Sequence, residues 1–136
     1  MTTLPAILQE PIQALLDDGD KLFDKGKFDA ALAKYQEAQA LLPSDLERWE
    51  ASTWVLAAVG DARFQLGEFD AAQPAFAQAV RCPEGADNPF ILLRLGQCEL
   101  ELGRDESARD ALARAFAGGG DELFEDEDPK YRALLA

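Results

Sequence analysis

The side chains that usually carry enzyme chemistry are sparse in this chain. Its 136 residues include no histidine and two cysteines, Cys82 and Cys98. Histidine acid–base catalysis, Ser-His or Cys-His nucleophiles and histidine metal sites are therefore absent. No glycine-rich phosphate loop of the Walker or dinucleotide type occurs. Carboxylate pairs are numerous, but in an acidic helical protein they are typical of solvated faces, so we expect no catalysis, no cofactor and no metal.

An acidic run from Asp121 to Asp128 has the residue types of a calcium site. Its acids lack the alternating spacing and the internal glycine of an EF-hand loop, which favours a solvated linker. The whole chain has 26 acidic and 13 basic residues, giving a net charge of −13. Such a charge repels nucleic acid and anionic membranes and attracts basic partners. The plain alternative is that the acidity serves only solubility.

The N-terminal segment and the cysteines bear on the cellular compartment. Residues 1–10 lack the basic start and the long apolar run of a signal peptide. No apolar run approaches the roughly 20 residues that span a bilayer. Two cysteines fit a reducing compartment, where we expect free thiols, although the sequence leaves a disulfide open. These features predict a cytoplasmic protein that does not associate with a membrane.

One short stretch recurs and organises the chain. Residues 26–31 read GKFDAA, residues 67–72 read GEFDAA, and residues 103–108 keep the pattern faintly as GRDESA. An amphipathic helical pattern precedes each glycine and another follows it. A turn glycine between two helices, repeated three times, predicts stacked helical hairpins, since one such unit cannot bury its apolar face alone. No stretch shows the alternation of a strand.

Further signals predict where the helices begin. Leu4 to Leu8 is a short apolar lead-in, and Pro11 either kinks it or begins a new helix. Ser44-Asp45-Leu46-Glu47 is typical of a capping box, which predicts one long helix from Ser44 to Leu66. Asn88 and Asp128 each precede a proline, a pattern that favours helix starts at Pro89 and Pro129.

With these features the chain resembles the tetratricopeptide repeat family. The family pattern places Leu-Gly and an aromatic residue in the first helix, then alanines, an aromatic residue and a closing proline in the second. The matching residues are Leu15, Gly19, Leu22, Gly26, Phe28, Ala31, Tyr35, Ala38 and Pro43 in the first copy, Leu56, Gly60, Gly67, Phe69, Ala72, Phe76 and Ala79 in the second, and Leu92, Leu95, Gly96, Gly103, Ala108, Leu112 and Ala115 in the third.

The spacing of the turn glycines differs from the family's 34 residues. Gly26 and Gly67 lie 41 positions apart (67 minus 26), an excess of seven that is close to two helical turns of 3.6 residues. We expect this excess to lengthen the helix that starts at Ser44. Gly67 and Gly103 lie 36 apart (103 minus 67), and the turn between Cys82 and Asn88 can absorb the excess of two.

The resemblance implies an all-α, right-handed α-solenoid of three hairpins, with short N-terminal and C-terminal helices. The chain would form a single domain, with repeats at about residues 12–45, 46–86 and 89–122 and a C-terminal capping segment at 123–136.

In this family the first helices of successive hairpins line a concave groove. The positions carried over to that groove are Gln13, Leu16, Asp20, Phe23, Trp54, Asp61, Phe64, Phe90, Leu93 and Gln97. Aromatic anchors with a few fixed carboxylates suit a peptide that has apolar and basic residues. None of these positions is basic and Arg94 is the nearest cation, so a clamp for a C-terminal carboxylate is not expected. Alternatively, a terminal segment covers part of the groove.

The resemblance favours a protein-interaction module, an adaptor or small chaperone that binds a peptide segment of a partner. Two alternatives stay open. The protein could be an inhibitor or immunity-type protein whose acidic surface blocks a basic partner. It could also be a self-assembling structural protein, such as a homodimer formed through the lead-in at Leu4 to Leu8.

Overall fold

The computed structural model describes residues 1–136 and contains seven α-helices, two 3-10 turns and no strand, which confirms the all-α prediction. No helix combines the length and the apolar character that crossing a bilayer requires. The elements are α1 (Ala6–Asp24), α2 (Phe28–Ala40), a 3-10 turn (Leu46–Arg48), α3 (Glu50–Gln65), α4 (Phe69–Val80), α5 (Pro89–Glu101), α6 (Asp105–Gly119), a second 3-10 turn (Asp121–Phe124) and α7 (Pro129–Ala133).

The recurring glycine closes each hairpin. Gly26, Gly67 and Gly103 have φ angles of +75°, +76° and +80°, a left-handed conformation in which a side chain is strained. The residue after each glycine donates its N–H to the carbonyl five positions earlier, at 2.9, 2.9 and 2.8 Å. This is the helix-ending hydrogen bond of a Schellman motif. The sequence repeat is therefore a repeated helix C-cap.

Within each hairpin a helical glycine meets a large side chain of the second helix. A Cβ added to Gly60 would lie 2.8 Å from the Phe76 ring, and one added to Gly19 would overlap the Tyr35 ring. In the third hairpin a Cβ on Gly96 would lie 2.7 Å from Leu112. The three crossings share one packing arrangement, in which the absence of a Cβ lets the partner side chain lie against the helix backbone.

The hairpins stack in chain order. Beyond the pairs within hairpins, α2 packs on α3 and α4 packs on α5, and α1 contacts α3 as α3 contacts α5. Three apolar clusters fill the stack, the first around Ile12 and Val55, the second around Phe76 and Ile91, and the third around Leu112. Because α1, α3 and α5 touch one another in sequence, they line the same side of the molecule.

The prediction of one long helix from Ser44 to Leu66 is wrong. The chain forms a 3-10 turn, then passes through Trp49 in an extended conformation (φ −110°, ψ 137°) before α3 begins. The Trp49 indole N–H donates to Asp45 at 3.0 Å, and the Glu50 N–H donates to the carbonyl of Thr2 at 2.9 Å. The second contact satisfies a backbone N–H that a continuous helix would pair internally. The seven added residues therefore form a connection between hairpins.

The two terminal segments also differ from expectation. The lead-in is part of α1, which continues through Pro11 from Ala6 to Asp24, so there is no separate N-terminal helix. The acidic run is not simply a solvated linker, because it contains a 3-10 turn whose Phe124 is buried against the third hairpin. The predicted helix starts are confirmed: Asn88 accepts from the Ile91 N–H and Asp128 from the Lys130 N–H, each at 3.0 Å.

The cysteines are free thiols, as expected. Both are buried, and burial raises the pKa of the Cys98 thiol to about 12. Both side chains belong to the second apolar cluster, where they act as small apolar groups.

We predict that Gly60→Ala destabilises the protein by about 1–3 kcal/mol, because the added methyl would overlap the Phe76 ring. At an exposed helical position the same substitution stabilises by up to about 1 kcal/mol. The sign of the change in the free energy of unfolding, measured in urea, therefore shows whether the close helix crossing excludes a side chain at Gly60. An equal or higher midpoint for the variant would show that the crossing tolerates a side chain.

Candidate functional site

A concave pocket of about 310 Å³ lies between α1, α3 and α5, on the side that these helices share. Aromatic and small apolar side chains form most of its wall, and three polar side chains stand among them. The lining residues are Asp20, Phe23, Tyr35, Trp54, Ala57, Ala58, Asp61, Asn88, Phe90 and Ile91.

Two aromatic side chains of this pocket are unusually exposed. Trp54 is 43% exposed and Phe90 is 36% exposed, although both lie on helices that are otherwise well packed. An indole ring left in water at the wall of a concave pocket is the kind of group that becomes an anchor when a partner covers it.

Asp20 is held in place by the second helix of its own hairpin. The Tyr35 hydroxyl donates a hydrogen bond of 2.6 Å to Asp20 Oδ1. Burial, and then this bond, raise the pKa of Tyr35, so the hydroxyl keeps its proton and remains a donor. Asp20 itself is exposed, and its other carboxylate oxygen is available to a partner.

Arg94 lies at the opposite end of the groove and is almost fully buried. Its guanidinium contacts Asp61 Oδ1 at 3.1 Å and Glu127 Oε1 at 2.6 Å, and it donates to Gln97 Oε1 at 2.8 Å. Its Cζ lies 4.6 Å from the centre of the Phe64 ring and 4.9 Å from that of Phe90. Such burial of a guanidinium requires both the carboxylates and the aromatic faces around it.

The C-terminal segment covers the third-hairpin end of the groove. Glu127 accepts hydrogen bonds from Arg94 and from Gln97 Nε2, both at 2.6 Å. Tyr131 packs in the third apolar cluster with Leu93, and Lys130 pairs with Glu101 at 2.8 Å. The segment therefore caps the stack and also places a carboxylate at the edge of the groove.

The ten predicted groove residues divide into two sets. The first set lines the concave pocket described above and consists of Asp20, Phe23, Trp54, Asp61 and Phe90. Of the others, Gln13 is exposed and donates to Asp17, Leu16 is buried in the first apolar cluster, and Phe64 lies beneath Arg94. Leu93 and Gln97 are 2% and 0% exposed, so a peptide reaches them only if the C-terminal segment moves. A peptide contact stays a prediction for both sets.

Several residues of the site are absent from the predicted set. The groove prediction used α1, α3 and α5 only, and therefore omitted Tyr35 of α2, which reaches the pocket past Gly19. Asn88 and Ile91 belong to the start of α5. Glu127 carries no local signal in the sequence, because its position depends on the reversal of the chain after α6.

The helix order, the turn glycines and the concave face are those of a tetratricopeptide repeat fold. Residues 58–122 match the family model of the tetratricopeptide repeat. No curated protein sequence matches the chain. The resemblance noted in the sequence is thus confirmed.

Solved structures with the same fold cover nearly the whole chain. The chaperone SycD of Yersinia enterocolitica, in complex with a peptide of the translocator YopD, is 16% identical with a TM-score of 0.71, over 93% of this chain and 90% of that one. PcrH of Pseudomonas aeruginosa, solved with the chaperone binding region of PopB, is 18% identical with a TM-score of 0.71, over 99% and 100%. The first tetratricopeptide domain of Spaghetti (RPAP3), bound to an HSP90 peptide, is 19% identical with a TM-score of 0.72, over 92% and 93%.

We predict that Arg94→Met destabilises the fold by about 2–4 kcal/mol, because it leaves Asp61 and Glu127 without their cation in a partly buried place. Arg81→Met is the matched control, since the ion pair of Arg81 with Glu47 is exposed and its loss costs less than about 1 kcal/mol. Urea unfolding measures both. Equal losses would show that the Arg94 network contributes nothing beyond a surface pair.

A pH dependence follows from Asp61. Burial raises the pKa of this carboxyl despite the neighbouring Arg94, so the folded chain binds the proton more tightly than the unfolded chain. Its contribution to the free energy of unfolding therefore falls as pH rises from the ordinary aspartate range through the raised pKa. We expect Asp61→Asn to gain stability relative to the wild type over that range, measured by urea unfolding between pH 3.5 and 7. A difference in the free energy of unfolding between Asp61→Asn and the wild type that stays constant with pH would contradict the raised pKa of Asp61.

Proposed function

We propose that this protein is a peptide-binding adaptor or small chaperone that holds a segment of a partner protein in its concave pocket. The observation that carries the proposal is the exposure of Trp54 and Phe90 in a pocket bounded by Asp20 and Asp61. Exposed aromatic anchors beside oriented acceptors match the requirements of peptide recognition in a groove.

The solved relatives support this use of the fold. SycD was solved with a peptide of the translocator YopD, PcrH with the chaperone binding region of PopB, and the Spaghetti domain with an HSP90 peptide. Three proteins of this architecture were therefore solved with a segment of another protein. At 16–19% identity they do not identify the partner of this chain.

The chemistry of the pocket describes the expected segment. Its wall is mostly apolar, its charged lining residues are aspartates, and the chain has a net charge of −13. A segment with apolar side chains and a basic residue is complementary to that wall. The proposed partner is consequently a protein segment of this kind, and nucleic acid is disfavoured by charge.

The test uses peptides selected from a random displayed library against the full chain. We predict that Trp54→Ala and Phe90→Ala each weaken binding of the selected peptides by about tenfold or more, the loss expected for a central aromatic anchor. Ile7→Ala is the control, because Ile7 is 82% exposed but lies outside the pocket. Fluorescence anisotropy gives the affinities, and circular dichroism checks that each variant is folded.

The alternatives give different results in the same experiment. Binding that is unchanged in both aromatic variants contradicts the groove proposal. Binding that is insensitive to Trp54 but lost with added salt favours an acidic blocking surface. A molar mass that rises with concentration in light scattering, and falls with Ile7→Ala, favours self-association through α1.

A further inference from the structure

The groove contains two copies of one four-residue arrangement. Gly19, Gly60 and Gly96 occupy the same crossing position in the three hairpins, and they set the register between repeats. In that register Asp20 corresponds to Asp61 and Phe23 to Phe64, at a spacing of 41 (60 minus 19). Trp54 corresponds to Phe90 and Ala58 to Arg94, at a spacing of 36 (96 minus 60).

The second copy is a complete arginine site. Asp61 accepts from Arg94 Nε at 3.1 Å, and the rings of Phe64 and Phe90 lie 4.6 and 4.9 Å from the guanidinium carbon. Asp61 and the two aromatic faces come from neighbouring hairpins, and together with Glu127 of the C-terminal segment they bind a guanidinium with little exposure to water. These are the groups that favour arginine over lysine, since a planar guanidinium stacks on rings and pairs with a carboxylate.

The first copy repeats the one repeat-borne carboxylate and the two aromatic side chains of this site around a short side chain, without a counterpart of Glu127. Asp20, Phe23 and Trp54 all line the pocket, and Ala58 lies in the lining where the second copy has Arg94. The methyl group of Ala58 leaves the space open. The Tyr35 hydroxyl holds Asp20 Oδ1 at 2.6 Å and so fixes the carboxylate before any ligand arrives.

We propose that this pocket receives an arginine side chain of the partner, whose guanidinium pairs with Asp20 and stacks between Phe23 and Trp54. The proposal rests on the proposed function and specifies the partner residue that the groove recognises. The partner's arginine takes the place relative to Asp20 that Arg94 takes relative to Asp61.

Charge supports arginine over a purely apolar anchor. Asp61 already has Arg94 as a partner, whereas Asp20 forms no ion pair within the chain. A guanidinium would therefore meet a carboxylate that no other cation neutralises, in a protein of net charge −13. Its aliphatic stem would contact the small apolar wall at Ala57 and Ala58.

The direct probe is N-acetyl-arginine amide, titrated into the full chain and followed by the indole N–H signals in an ¹H–¹⁵N NMR spectrum. We expect a saturable shift of the Trp54 signal at millimolar concentration, at least threefold weaker binding of the uncharged citrulline amide, and loss of the shift in Asp20→Asn. The Trp49 indole, bonded to Asp45, is the internal control. Equal binding of the citrulline and arginine amides would overturn the proposal.

A second variant fills the pocket from within. Ala58→Arg recreates the Arg94 arrangement next to Asp20 and should weaken binding of N-acetyl-arginine amide by about tenfold or more. Ala113→Arg on the exposed face of α6 makes the same change of charge away from the groove and should leave binding unchanged. Equal effects of the two substitutions would show that only net charge matters, and would overturn the proposal.

The library peptides separate this inference from the proposed function. If selected peptides need Trp54 but bind equally with citrulline in place of their arginine, the arginine site is wrong and the groove function stands. If the arginine amide binds but no peptide loses affinity in Trp54→Ala, the arginine site stands and the peptide function is wrong.

Discussion

The close crossing of the two helices in each hairpin is the constraint on which the rest of the molecule depends. At Gly19, Gly60 and Gly96 the helix has no Cβ, and a large side chain of the second helix lies directly on its backbone. This contact fixes how the two helices of a hairpin pack against each other. The packing in turn determines which face of α1, α3 and α5 lines the groove. The first crossing also serves the site, because the Tyr35 ring packs on Gly19 while its hydroxyl reaches Asp20.

The groove has two ends with different electrostatics. At one end Arg94 is surrounded by Asp61, Glu127 and two aromatic rings, and the C-terminal segment closes over it. At the other end Asp20 and Trp54 are exposed and no cation of the chain reaches them. The difference arises at one repeat position, which is arginine in the third hairpin and alanine in the second, and from the C-terminal segment, which supplies Glu127 at the Arg94 end. The two ends are related by the internal repeat. The Arg94 site therefore indicates which side chain the Asp20 pocket can bind.

The sequence predicted the helices better than their connections. Periodic apolar residues, turn glycines and the Asn88 and Asp128 caps have local causes, and these elements were confirmed. The capping box at Ser44 failed because Trp49 and Glu50 find partners at Asp45 and Thr2. The contact with Thr2 joins residues almost fifty positions apart, and no local pattern reports it. Likewise, the acidic run was assigned to solvent because the burial of Phe124 and the pairing of Glu127 depend on a distant helix.

The sequence by itself determined the architecture and the identity of the exposed pocket residues on α1, α3 and α5. Both follow from short-range spacing, in which a glycine ends a helix and every third or fourth side chain shares a face. Only the tertiary structure decided which groove positions stay open, because that depends on where the C-terminal segment returns. It buries Leu93 and Gln97 and leaves Trp54 and Phe90 in water. The pairing of Arg94 with Asp61 and Glu127 was also decided there, since a buried charge needs partners and folding brings these two from separate parts of the chain.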